Sequence, residues 1–192
     1  MASPRASRSL PGDPLTYPAA GLLAELPGAI RTYPVAGVTI DLGPDLELAD
    51  PIEGLVRLTR TNRGLIADAK LHTAIAGVCS RCLKDLEIPL DVEIQEEVLP
   101  SIDFATGAPI DVSSEPDAER LNDHHELELE PLVRDAIQLA EPIAPLCRDD
   151  CPGLCVICGE ELATHPHQHD DDIDPRMASL FGFTVDGSTR TD

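Results

Sequence analysis

The sequence predicts an α+β protein: an antiparallel, barrel-like β-sheet with a packed helix and a zinc-knuckle-like C-terminal tail. Three observations carry this. Apolar and polar residues alternate along 65–78 and, without error, along 86–94, the period of a half-buried antiparallel strand. After Pro131, which sits at the preferred first position of a helix, Leu132, Val133, Ala136, Ile137 and Ala140 form an apolar stripe at helical spacing. Finally, Cys147, Cys151, Cys155 and Cys158 put four of the six cysteines into one short stretch.

Taken in order, residues 1–14, rich in Pro, Ser, Arg and Gly, read as a tail. Residues 18–26 offer a short helix with Leu22, Leu23 and Leu26 on one face, stopped by Pro27-Gly28. Residues 32–42 are β-like, but Pro34 and Gly37 break the alternation, so a bulge or bend is expected near Gly37. Gly43-Pro44-Asp45 turns the chain. Residues 53–61 and 65–78 then form the clearest hairpin, joined through Asn62-Arg63-Gly64. On the return strand Leu65, Ala67, Ala69, Leu71 and Ile75 face one way, and Asp68, Lys70 and His72 the other. That strand runs directly into Cys79-Ser80-Arg81-Cys82.

In the next strand Leu86, Ile88, Leu90, Val92 and Ile94 alternate with Glu87, Pro89, Asp91 and Glu93. Pro89 cannot donate to a ladder, so a free edge is expected there. Residues 100–125 form a long acidic connection that reads as a partner-facing or disordered insert. Leu127 and Leu129 suggest a short strand, and the helix spans 131–140 before Pro142 and Pro145. Asp174 as N-cap and Pro175 as first residue open a last short helix, and 184–192 read as a second tail. The expected organisation is therefore an α+β domain over 15–145, a cysteine-rich metal-clipped segment over 146–183, and two tails.

Hydrophobic residues make up 42% of the chain but aromatics only 3%, with no Trp. The core must be built from Leu, Ile, Val and Ala. Against 14 Lys and Arg stand 35 Asp and Glu, a formal net charge of −21. Phosphate binding is carried by Lys and Arg, so an extended nucleic-acid groove is disfavoured. An acidic surface serves either solubility or basic protein partners. No apolar run is long enough for a membrane span. The start of the chain has arginines but no apolar stretch of the kind a signal peptide needs. Clustered cysteines without such a signal point to the reducing cytoplasm and to metal rather than to disulfides.

Thiolates this close repel one another unless a cation neutralises them, which a tetrahedral zinc ion does with four sulfurs. Cys155-Val156-Ile157-Cys158-Gly159 has the form of a zinc knuckle. Two ligand sets fit the spacing. One is local: Cys147, Cys151, Cys155 and Cys158. The other pairs Cys79 and Cys82 with Cys155 and Cys158, as in a zinc ribbon. The shorter loop closes at smaller entropy cost, which favours the local set and leaves Cys79 and Cys82 as a second or alternative metal pair. Cys79-Ser80-Arg81-Cys82 also has redox spacing, although a thioredoxin-like pair would precede a helix and this one lies between strands. A thiol redox or metal-transfer role for Cys79 and Cys82 is the alternative function. His165, His167 and His169, followed by Asp170 to Asp172, carry legitimate ligand types. Their one-residue gaps read instead as a solvated loop. There is no metalloprotease His-Glu-x-x-His, no nucleophile elbow and no phosphate-cradling glycine loop. No nucleophile, base and orienter assemble, so a non-enzyme is expected.

Three blocks of this chain resemble the bacterial YceD-like proteins, described as large ribosomal RNA subunit accumulation proteins. They are Cys79-Ser80-Arg81-Cys82-Leu83; Glu128 to Ala136 followed by Pro145-Leu146-Cys147; and Cys151-Pro152-Gly153-Leu154-Cys155-Val156-Ile157-Cys158-Gly159 with Asp174-Pro175-Arg176. The resemblance implies a role in 23S rRNA accumulation and large-subunit assembly, with no catalytic activity. Many tailed members of that family carry further cysteines where this chain has His165 to Asp172, which suggests that a histidine replaces a ligand. Some relatives lack the cysteine tail, so the tail reads as a structural zinc clip. Combined with the charge, the resemblance implies action through a basic ribosomal protein or a ribosome-assembly protein. The acidic strand face and the 100–125 connection are then the contacts, and direct RNA binding stays open.

Overall fold

A computed structural model describes residues 14–104, 106–111, 113, 115–169 and 176. The tail expected over 1–14 (Pro14 apart), the tail expected over 184–192, and the helix expected after Asp174-Pro175 (Arg176 apart) lie outside the described residues. The elements are β1 (Thr16–Pro18), α1 (Ala20–Leu23), β2 (Ile30–Val38), β3 (Leu48–Arg60), β4 (Leu65–Val78), β5 (Asp85–Leu99), β6 (Glu119–Arg120), β7 (Glu126–Glu128) and α2 (Glu130–Ala140). One sheet has the order β2-β3-β4-β5-β6; β1 and β7 form a separate two-stranded sheet. Among the described residues the architecture is thus mostly sheet with two helices.

The barrel-like closure expected from the sequence does not occur among the described residues. β2 through β5 pair antiparallel, but the last strand, β6, is two residues long and pairs parallel to β5 only at Val98↔Glu119 and Leu99↔Arg120. So short a strand offers too little ladder to close on β2. The core face is covered instead by the small sheet and α2: Leu15, Tyr17, Leu127, Leu129, Val133 and Ile137 are buried in one cluster with Tyr33, Val56, Leu58, Leu65, Ala69, Val92 and Val98.

The hairpin forms as the alternation dictates. Arg60 faces Leu65 across the turn, and the Thr61 hydroxyl accepts the Gly64 N–H at 3.0 Å. On β4, Leu65, Ala67, Ala69, Leu71 and Ile75 are buried while Lys70 and His72 are exposed. The expected bulge is present: the β2–β3 register shifts between Val35 and Val38, and Gly37 takes φ +68°. β5 pairs with β4 from Asp85 to Val98. Its other side is covered only at Val98 and Leu99, so Pro89 lies on an open edge among the described residues, as expected.

Two expectations change. The helix read over 18–26 spans only Ala20–Leu23; Leu22 and Leu23 are buried, but Leu26 is 84% exposed, because the chain turns at Pro27-Gly28 with Gly28 at φ +94°. The described part of the connection 100–125 is also tied to the sheet edge. It supplies β6, buries Leu121, and is held by Arg63 donating to a Glu115 carboxylate oxygen at 2.6 Å and by the Ser101 hydroxyl donating to the Leu121 carbonyl at 2.8 Å.

Candidate metal centre

The turn between β4 and β5 is folded into a knuckle. The Cys79 N–H donates to the Lys84 carbonyl at 2.8 Å and the Leu83 N–H to the Cys79 carbonyl at 2.9 Å. Leu83 adopts φ +58°, the left-handed conformation that such a reversal needs. The backbone amides of Cys82, Cys147 and Arg81 favour the thiolate form of Cys79, and the Lys84 amide that of Cys82.

The segment after α2 docks on this knuckle through its backbone. The Ser80 N–H donates to the Pro145 carbonyl at 2.9 Å and the Leu154 N–H to the Arg81 carbonyl at 3.1 Å. The Arg81 guanidinium donates to the Cys151 carbonyl at 2.8 Å, and Lys84 pairs with Glu161. This brings Cys147 and Cys151 over Cys79 and Cys82. Cys79 Sγ lies 3.9 Å from Cys151 Sγ and Cys82 Sγ 3.7 Å from Cys147 Sγ, and all four sulfurs fall within 4.8 Å of one another. A tetrahedral ion with Zn–S bonds of about 2.3 Å places its sulfurs about 3.8 Å apart, so the spacing fits such an ion. It is far from the ~2.05 Å of a disulfide, and no two of the six cysteines are joined. Cys79, Cys82 and Cys151 are buried, with Leu86 and Leu146 packed against them.

The electrostatics suit a cation. Backbone amides, that of Cys82 first, lower the Cys79 thiol to about 6. The neighbouring Cys151 sulfur, followed by burial, pushes Cys147 up to about 12. For Cys82 the Lys84 amide favours the thiolate, but desolvation and the sulfurs of Cys79 and Cys151 raise its pKa overall. Four sulfurs around one point cannot all ionise on their own; a cation at that point removes the conflict.

The structure divides the local set Cys147, Cys151, Cys155 and Cys158. The first two join Cys79 and Cys82, and the other two join His167 and His169 in a second group, again with all four ligand atoms within 4.8 Å. Neither arrangement expected from the spacing is the one observed. Loop-closure entropy favours neighbours along the chain. It takes no account of the β4–β5 turn, which has already placed two sulfurs side by side. Gly153, at φ +80°, carries the chain past the Arg81 carbonyl so closely that a Cβ there would lie 3.0 Å from it. His167 and His169, which their spacing reads as solvated loop but which the family resemblance offers as a replacement ligand, are the histidines brought into the second group. The available signal was stoichiometric: six cysteines and a nearby histidine pair complete two sets of four, each built on one Cys-x-x-Cys. His124 and His125 lie in the turn before β7, apart from either group, and His125 packs edge-on against Phe104.

Fold and donor groups together define an α+β protein whose C-terminal segment is gathered onto its sheet at clustered cysteines. The chain belongs to the family described as large ribosomal RNA subunit accumulation protein YceD, whose family model matches residues 67–184. Among curated proteins it is 31% identical over 125 residues to uncharacterized proteins of Mycobacterium tuberculosis and Mycobacterium bovis, a match covering 65% of this chain and 58% of each relative. An uncharacterized protein of Mycobacterium leprae is 29% identical over 135 residues, covering 70% of this chain and 60% of that protein. The chain thus spans less than two thirds of the length of these relatives. No solved structure matches. No helix among the described residues is long and apolar enough to cross a membrane.

Proposed function

We propose that the protein is a non-catalytic factor supporting 23S rRNA accumulation and large ribosomal subunit assembly in the cytoplasm, with a structural zinc ion held by Cys79, Cys82, Cys147 and Cys151. The observation that carries this reading is the family match over residues 67–184, which takes in most of β4, all of β5 and α2, and every cysteine. The sulfur spacing supports the ion. Apparent binding energies of such sites are about 10–16 kcal/mol, ample to order a segment with little core of its own. Among described residues beyond α2, the buried ones are Cys151, Gly153 and Cys155. The complete burial of Cys79 favours a structural role over thiol turnover, since a reactive cysteine needs access.

The net charge of −21 and the exposed Glu87, Asp91 and Glu93 on β5 support contact with a basic ribosomal protein or a ribosome-assembly protein. The test is a ribosome profile from cells lacking the protein. We expect a deficit of large subunits and 23S rRNA relative to small subunits, restored by the wild-type chain. An unchanged profile overturns the reading.

A further inference from the structure

We propose that the chain binds a second metal ion, a zinc-class divalent cation on Cys155, Cys158, His167 and His169, distinct from the one on the four cysteines. The inference goes beyond the ribosomal reading and does not depend on it.

The first support is a structural repeat. The Cys155 knuckle reproduces the Cys79 knuckle bond for bond. The Cys155 N–H donates to the Glu160 carbonyl at 2.8 Å and the Gly159 N–H to the Cys155 carbonyl at 2.8 Å, as Cys79 does to Lys84 and Leu83 to Cys79. Gly159 takes φ +76° where Leu83 takes +58°. One fold of the backbone thus presents a pair of thiolates twice, and the first pair already meets two further ligands.

The second support is how the histidines are held. His167 Nδ1 donates to the His165 carbonyl at 2.7 Å, which fixes the tautomer and leaves Nε2 as an electron-pair donor, the usual outer-shell arrangement of a ligating imidazole. That Nε2 lies 3.1 Å from Cys158 Sγ. The His169 ring stands edge-on to His167, centroids 4.9 Å apart, with one nitrogen inside the same 4.8 Å group. Around a tetrahedral zinc, sulfur and nitrogen ligands lie about 3.5 Å apart.

The donor set determines the chemistry. Two thiolates and two neutral imidazoles cancel the charge of a dication, whereas four thiolates leave two negative charges. Mixed sulfur and nitrogen donors select zinc or cobalt over magnesium or calcium. Cys158 and His169 are exposed, so this ion exchanges faster and is stripped first by chelator.

The test is metal stoichiometry of the full chain purified without chelator, read by elemental analysis and native mass spectrometry. We expect two zinc ions per chain, falling to one in His167→Ala and in Cys158→Ser. In cobalt-reconstituted protein both variants keep the four-sulfur charge-transfer spectrum. His167→Ala alters an exposed loop, so it reports on the site even if cysteine variants misfold. A wild-type count of one overturns the proposal. So does a count of two that survives His167→Ala combined with His169→Ala. Neither readout involves ribosomes, so failure here is separable from failure of the rRNA role.

Discussion

Gly54 sits in β3 at φ +148°, and a Cβ there would lie 2.1 Å from the Lys70 carbonyl oxygen of the neighbouring strand. That contact is with backbone and no rotamer change relieves it. Gly54→Ala puts a side chain where the backbone cannot accept one and is therefore expected to cost more than about 1 kcal/mol, and to lower the urea midpoint clearly. A midpoint equal to wild type would show that the strand pair shifts freely. The knuckle sulfurs carry a second prediction at this scale. Backbone amides hold Cys79 and Cys155 at about 6, below the ordinary thiol value. Thiolates lowered in this way are available above that value and, with no metal bound, are lost as pH falls through it. Any bound metal, followed by elemental analysis after dialysis, is expected to be retained at pH 7 and lost progressively on acidification, at a pH below that of the free thiols because the metal competes with the protons. A metal content that does not fall between pH 7 and pH 3 would count against thiolate ligation.

The β4–β5 pair is the element on which the rest depends. Its long ladder, from Leu65↔Val98 to Val78↔Asp85, is stabilised by a core that does not include the cysteine tail. The tail is attached at the far end, through the knuckle at 79–84 and the hydrogen bonds of Ser80, Arg81 and Leu154. Breaking the four-sulfur group should therefore free the tail without melting the sheet. In Cys151→Ser we expect amides over 146–165 to lose hydrogen-exchange protection while those of β3 and β4 keep theirs. Global loss of protection would mean that the ion holds the sheet as well.

At the scale of the molecule, charge is the dominant property. A net charge of −21 with the outer face of β5 acidic favours basic partners. The Debye length shrinks from about 10 Å at 0.1 M salt to about 3 Å at 1 M. On the proposed reading, capture of a basic large-subunit protein by this chain from cell extract is expected to weaken steeply over that range. Retention of naked rRNA at high salt, with no protein, would show instead that RNA is the direct contact.

The amino-acid sequence alone determined the strands from 53 to 98, the bulge near Gly37, the open edge at Pro89 and the helix after Pro131. In each case the information is local: period-two alternation, a ring nitrogen without a proton, a glycine able to take positive φ. It also marked the cysteines as the chemical centre and the family blocks around them. It did not reveal that the sheet stays open, because that depends on how few residues β6 pairs with β5. Nor did it reveal which cysteines meet. Spacing along the chain ranks ligand sets by loop length, and here the β4–β5 turn had already brought Cys79 and Cys82 together. Cys147 and Cys151 dock there, and Gly153 carries the chain on toward His167 and His169. Proximity across 65 or more residues is set by the folded sheet, and no local pattern in the sequence encodes it.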